Sequence, residues 1–116
     1  MTQSQEQIAE AYSNGEFEKV FPCLDDEIEW RVFGQFHVQG RAAVEKRCRE
    51  IADYFKSVTT EFKQGTKIVS SNKVAVSGTA EFGKDSRRLE FVNACDIYEF
   101  CDDKLRRITS YCLTET

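Results

Sequence analysis

The amino-acid sequence predicts one α+β domain spanning residues 1–116, and two periodicities carry that prediction. In the first half Val44, Cys48, Ile51 and Phe55 are spaced four, three and four residues apart, the stripe of an amphipathic helix. After Val58 the period becomes two and runs through three short polar turns, as in a meander of half-buried strands. Helices gathered in one half and strands in the other give the segregated order of an α+β fold. A chain of 116 residues has material for one sizeable core.

Taken in order, Ser4 and Gln7 stand at capping-box spacing and start a first helix. Ile8, Ala11 and Tyr12 share its apolar face, and Gly15 ends it after Asn14. Phe17, Val20, Phe21 and Leu24 continue at helical spacing, but Pro22 has no amide proton, so this second piece should be short or irregular. Ile28 to Phe33 reads as a strand ending at Gly34, followed by a loop that carries Phe36 and His37 to Gly40. The main helix then begins at Arg41. Beyond it, Thr60, Phe62 and Gln64 alternate up to Gly65, which marks a bulge. Ser71-Asn72 is a turn, Val74 to Phe82 a strand, Gly83 to Ser86 a second turn and Arg87 to Phe100 a long strand. Asp102-Asp103 turns into the last strand, Leu105 to Leu113, so three tight turns join four antiparallel strands.

Composition excludes several function classes. Hydrophobic residues at 41%, charged residues at 31% and one proline describe an ordinary globular chain. A formal charge of −4 supplies no basic field for nucleic acid or anionic lipid. No window approaches the ~20 apolar residues of a membrane span, and the polar first ten residues lack the pattern of a secretory signal. Five cysteines, an odd number without a Cys-x-x-Cys pair, read as reduced thiols of a cytoplasmic protein. With His37 as the single histidine, no metal site is expected. The stretch GTAEFGKD, Gly78 to Asp85, approximates a phosphate-binding loop, but Asp85 replaces the required Ser or Thr and a strand follows instead of a helix.

Asp96 is the most informative acid. It lies within Val92-Asn93-Ala94-Cys95-Asp96-Ile97-Tyr98, where burial would raise its pKa and make it a neutral hydrogen-bond donor. The alternative is that it faces solvent or pairs with an arginine such as Arg106 on the next strand. Arg87-Arg88 and Arg106-Arg107 would form a basic patch if their strands bring them together. Phe91, Cys95 and Ile97 fall on one side of the long strand and Val92, Ala94 and Tyr98 on the other, so both faces need apolar cover.

The order of these elements, with IEWRVFG, QGRAAV and DDKLRRITSY in their places, resembles the SnoaL-like and ketosteroid-isomerase-like families of the nuclear transport factor 2-like superfamily. The resemblance covers nearly the whole chain. It implies a cone-shaped, curved antiparallel sheet wrapped around the long helix, a pocket open at one end, and homodimerisation through the sheet. It further implies that FVNACDIYEF is the strand bearing the acid of the isomerase oxyanion hole, which falls on Asp96. The isomerase base falls on Trp30, an indole that cannot abstract a proton, and the oxyanion-hole tyrosine falls on Ile8 with Tyr12 one turn later. Ketosteroid isomerisation is therefore not expected.

A candidate pocket remains, lined by Tyr12, Trp30, Phe33, Tyr54, Phe55, Tyr98 and Cys112, with Asp96 and His37 as its polar groups. The expectation is a small apolar ligand. If the protein is an enzyme, it should be a cofactor-free isomerase, cyclase or hydratase, with Asp96 as donor or acid and His37 as base. The alternative is a non-catalytic dimerisation or binding module whose pocket is filled by side chains.

Overall fold

The computed structural model describes residues 4–115. Its elements are α1 (Gln5–Ser13), β1 (Leu24–Val32), β2 (Phe36–Gln39), α2 (Arg41–Ser57), β3 (Thr59–Ser70), β4 (Lys73–Lys84), β5 (Arg87–Cys101) and β6 (Lys104–Glu115). The six strands form one curved, unclosed sheet in the order β2-β1-β6-β5-β4-β3, with the two helices on its concave side.

The capping box forms as the spacing predicts: Ser4 Oγ accepts from the Gln7 amide at 3.1 Å, and Gln7 Oε1 accepts from the Ser4 amide at 3.0 Å. Gly15, at φ +78°, turns the chain out of α1 close against the Phe55 ring. The segment containing Pro22 is indeed irregular, two single 3₁₀ turns at Phe17–Lys19 and Phe21–Cys23. The long strands are joined by two-residue turns, with Asp85 and Ser86 both at positive φ, the backbone twist that suits a tight hairpin.

Four details depart from the sequence reading. Residues 36–39 form a strand, β2, not a loop: Arg31 pairs with His37 and Trp30 with Val38 in an antiparallel hairpin with β1. The sheet is mixed, because β1 runs parallel to β6, with Trp30 beside Ile108 and Val32 beside Ser110. Local period reports which residues alternate, not which neighbour a strand takes. Strand β4 continues through Gly83 and Lys84, leaving only Asp85 and Ser86 to turn. The two arginine pairs do not meet either, since Arg87 pairs with Lys84 at one end of β5 and Arg107 with Glu99 at the other.

Register breaks bend the sheet. They fall between Gln64 and Lys67, as Gly65 predicts, between Phe82 and Gly83, between Glu99 and Phe100, and between Leu24 and Glu29 on β1. At the first of them β3 passes very close to Gly78 of β4. The concave face is closed at one end by a buried apolar core that includes Ile8 of α1 with Val20, Leu24, Val74, Tyr98 and Leu105, each at most 1% exposed. Lys67 ties α1 to β3 through ion pairs with Glu6 and Glu10. The other end of the cone stays open.

Candidate functional site

Between the open end and that core lies a cavity of about 300 Å³. Its walls come from every layer of the fold: Tyr12 and Ser13 from α1, Trp30 from β1, Ile51, Tyr54 and Phe55 from α2, and inward positions of β3 to β6. The inward set follows from strand alternation, which places Glu90, Val92, Ala94 and Asp96 on one face of β5. Aromatic rings dominate. Phe55 stacks on Phe82 at 5.5 Å and meets Phe62 edge-on at 5.3 Å, while Tyr12 meets Trp30 edge-on at 5.2 Å.

Asp96 sits at the inner end, between the cavity and the closed core. Ser13 Oγ donates to its Oδ2 at 3.0 Å and lies 2.6 Å from the Tyr98 hydroxyl. A serine has one hydrogen, so when Ser13 gives it to Asp96, the Tyr98 hydroxyl donates to Ser13. Ser110, opposite Asp96 on β6, accepts from Trp30 Nε1 at 3.1 Å and directs its own hydroxyl to the carboxyl. Two relays of donors thus converge on one acid. Burial raises the Asp96 pKa above the ordinary carboxyl range, and the bonds from Ser110 and Ser13 oppose that rise without cancelling it. Asp96 keeps some accessible surface because the cavity reaches it, as does a smaller cleft of about 60 Å³ lined by Ser13, Gln64 and Gly78. Burial also pushes Tyr98 well above its usual value and Cys48 up to about 12.

This shift predicts a pH signature. The folded protein holds the Asp96 proton more tightly than the unfolded chain, where aspartate titrates near ~3.9. The native state therefore loses stability from this group as pH rises from the unfolded to the folded pKa. Asp96→Asn removes that dependence, so urea unfolding across pH 4 to 8 should show the variant gaining on wild type and then levelling off. A difference that stays flat with pH would mean that Asp96 is not desolvated.

Of the nine residues expected to form the site, six line the cavity: Tyr12, Trp30, Tyr54, Phe55, Asp96 and Cys112. Three do not. His37 points to the outer face, where its Nε2 lies 3.1 Å from Glu29 Oε2; as part of β2, rather than a loop, it alternates with the inward Phe36 and Val38. Phe33 also lies outside, 43% exposed and stacked on Tyr111 at 5.0 Å, because it follows the inward Val32. Tyr98 points inward but is fully buried in the closed core, with its hydroxyl against Ser13. The sequence reading missed Ser13 and Ser110. Ser13 follows Tyr12 at the end of α1, and Ser110 becomes visible only through the β5–β6 register. Among the described residues no group of three or more His, Cys, Asp or Glu side chains is placed to hold a metal ion, and no helix is long and apolar enough to cross a membrane.

The family model of the SnoaL-like domain matches residues 5–108. The chain belongs to the SnoaL-like family. A nuclear transport factor 2-like protein of unknown function from Cytophaga hutchinsonii is 32% identical, with 91% of this chain and 93% of that one covered and a TM-score of 0.84. An LEH-like epoxide hydrolase of M. tuberculosis is 18% identical, with coverage of 93% and 81% and a TM-score of 0.68. A candidate isomerase from Rhodopseudomonas palustris is 20% identical, with coverage of 97% and 91% and a TM-score of 0.72. At such identities the last two show the shared fold alone. No curated protein matches the sequence. In this SnoaL-like cone the residues standing where the resemblance put a base and a tyrosine do other work. The Trp30 indole is bonded to Ser110, Ile8 is core, and the Tyr12 hydroxyl lies 3.0 Å from Cys48 Sγ.

Proposed function

We propose that the protein binds a small, largely apolar molecule in the cone cavity and moves a proton on it without a cofactor, in an isomerisation, cyclisation or hydration. Asp96 is the acid–base group. The observation that carries this reading is a single buried carboxyl with a raised pKa at the inner end of an open, aromatic cavity, held by Ser13 and Ser110. As a carboxylate Asp96 takes a proton from the ligand, or in a hydration from the water whose oxygen bonds to the ligand, and as the acid it returns the proton at a second position of the ligand, ending as it began. The hydroxyl relays from Tyr98 and Trp30 hold its oxygens in place through that cycle. His37 takes no part, since it lies on the other face of the sheet.

The relatives named as an epoxide hydrolase and a candidate isomerase support a search among epoxides and carbonyl compounds. Thermal-shift screening of such compounds, followed by turnover assays, tests the reading. Asp96→Asn should lose about 10²-fold or more in turnover, the scale of acid–base catalysis, while His37→Ala keeps it. Full turnover in Asp96→Asn would sink the assignment.

A second reading is favoured by the outer face of the sheet, where the Phe33–Tyr111 stack continues into Leu113, 71% exposed. Arg31, Arg107, Glu29 and Glu99 surround this face, and both signs together suit a self-complementary contact. The occupant we assign is a second copy of the chain. Sedimentation at tens of micromolar should show a dimer, and a monomer alone would count against it. The five cysteines carry no disulfide, which supports a cytoplasmic setting.

A further inference from the structure

The charge inventory of the cavity is one-sided. Its lining holds two carboxyls, Asp96 at the inner end and Glu90 nearer the opening, and no lysine, arginine or histidine. They share one face of β5 at a separation of six residues, about 20 Å of strand. The donors at the inner end are already engaged. Trp30 Nε1 gives its hydrogen to Ser110, Ser13 gives its own to Asp96, and the Tyr12 hydroxyl lies against Cys48. Once Asp96 is ionised, what faces the empty space there is an acceptor, and a ligand bearing an oxyanion or a carboxylate would find no positive charge in the lining to meet it.

Asp96 also lacks a counter-charge: among the described residues it takes part in no ion pair. Buried carboxylates are ordinarily paired, because desolvating one alone is costly. The walls that lead to it present the rings of Phe17, Tyr54, Phe55, Phe62 and Phe82. Aromatic faces attract a cation through their quadrupole, most strongly in a desolvated site.

We propose that the ligand class of this cavity is a small organic ammonium with an apolar body, whose cationic nitrogen pairs with Asp96 and whose body packs among the aromatic walls. This deepens the function proposed above and rests on its ligand-binding cavity. The ammonium supplies the missing counter-charge and the missing donors in one group. It leaves neutral alcohols weaker, since they bring a donor without the charge. Carboxylates are repelled by both acids.

The probes are benzylamine, benzyl alcohol and benzoate, which share one ring and differ in the polar group. Isothermal titration at pH 7.5 should give benzylamine an affinity about tenfold or more above benzyl alcohol, as a charge-assisted bond requires, with benzoate not binding. Asp96→Asn should bring the amine down to the level of the alcohol and leave the alcohol unchanged. Should Asp96→Asn fail to fold, Ala94→Leu fills the space beside an intact Asp96 and should abolish binding of the amine. Benzyl alcohol or benzoate binding as tightly as benzylamine would overturn the ammonium assignment and leave the ligand cavity standing. An amine affinity untouched by Asp96→Asn, or by Ala94→Leu, would place the amine on surface carboxylates and overturn the assignment too. If none of the three binds at millimolar concentration, the cavity itself is not a ligand site and both readings fall.

Discussion

Ile8→Ala should cost about 2–5 kcal/mol of stability in urea unfolding, the range for truncating a fully buried large aliphatic residue. Ile51→Ala, the same chemical change, should cost only about 1 kcal/mol, because a half-buried side chain gives up correspondingly less surface. Ile8 is 0% exposed and sits where α1 seals the narrow end against Val74, Tyr98 and Leu105. Ile51 lies on α2, partly buried, with the cavity on one side of it. A side chain beside a void has already forfeited the contacts on that side, so removing it takes away less. Equal costs at the two positions would mean that the space beside Ile51 is packed in solution, and the filled-pocket module would then be the better reading.

Gly78→Ala should destabilise by about 1–3 kcal/mol, the cost of forcing extra volume into a packed site. A Cβ at Gly78 would clash with the Lys63 carbonyl oxygen and lie 3.2 Å from Gln64 Cα. Both are backbone atoms of the neighbouring strand, so no rotamer change relieves the clash and β3 itself must move. Gly65→Ala is the matched control, since its nearest contact, the Ser77 carbonyl oxygen, is 3.3 Å away. Its cost should be clearly smaller in the same unfolding experiment. If the two variants prove equally stable, β3 and β4 are farther apart at the bulge than the structure places them.

The helices and the long strands were legible in the sequence because each rests on local chemistry. Ser4 and Gln7 cap α1, Val44 to Phe55 stripe α2, and Gly65 announces the bulge. Asp96 was legible for a related reason: a charged residue in the middle of an apolar strand face has few comfortable explanations. What stayed hidden depends on neighbours distant in sequence. No local pattern sends β1 alongside β6 in parallel, and without that pairing neither the Trp30–Ser110 bond nor the inward aim of Ser110 can be deduced. His37 was misplaced for want of a secondary-structure assignment. A four-residue strand such as β2 is too short to show its alternation, and reading it as a loop left the ring free to point anywhere. Phe33 was misplaced by one position of the same alternation. The pocket's aromatic character was recognised, but the residues that orient its acid were not, because small hydroxyl side chains leave no trace in a hydrophobic pattern.

The sheet that encloses the cavity is a single layer thick. Cys112 and Thr114 line the inside, while Tyr111 and Leu113 between and beside them form the outer face. Val32 at the end of β1 and Phe33 just after it divide the same way. No buffer of packed side chains insulates one surface from the other, as a second sheet or an outer helix would. Anyone reshaping the interior at Cys112 therefore works one Cα away from the exterior, and a shift in the strand is inherited by both. In this molecule the lining of the cavity and the exposed face of the sheet are written on the two sides of one page.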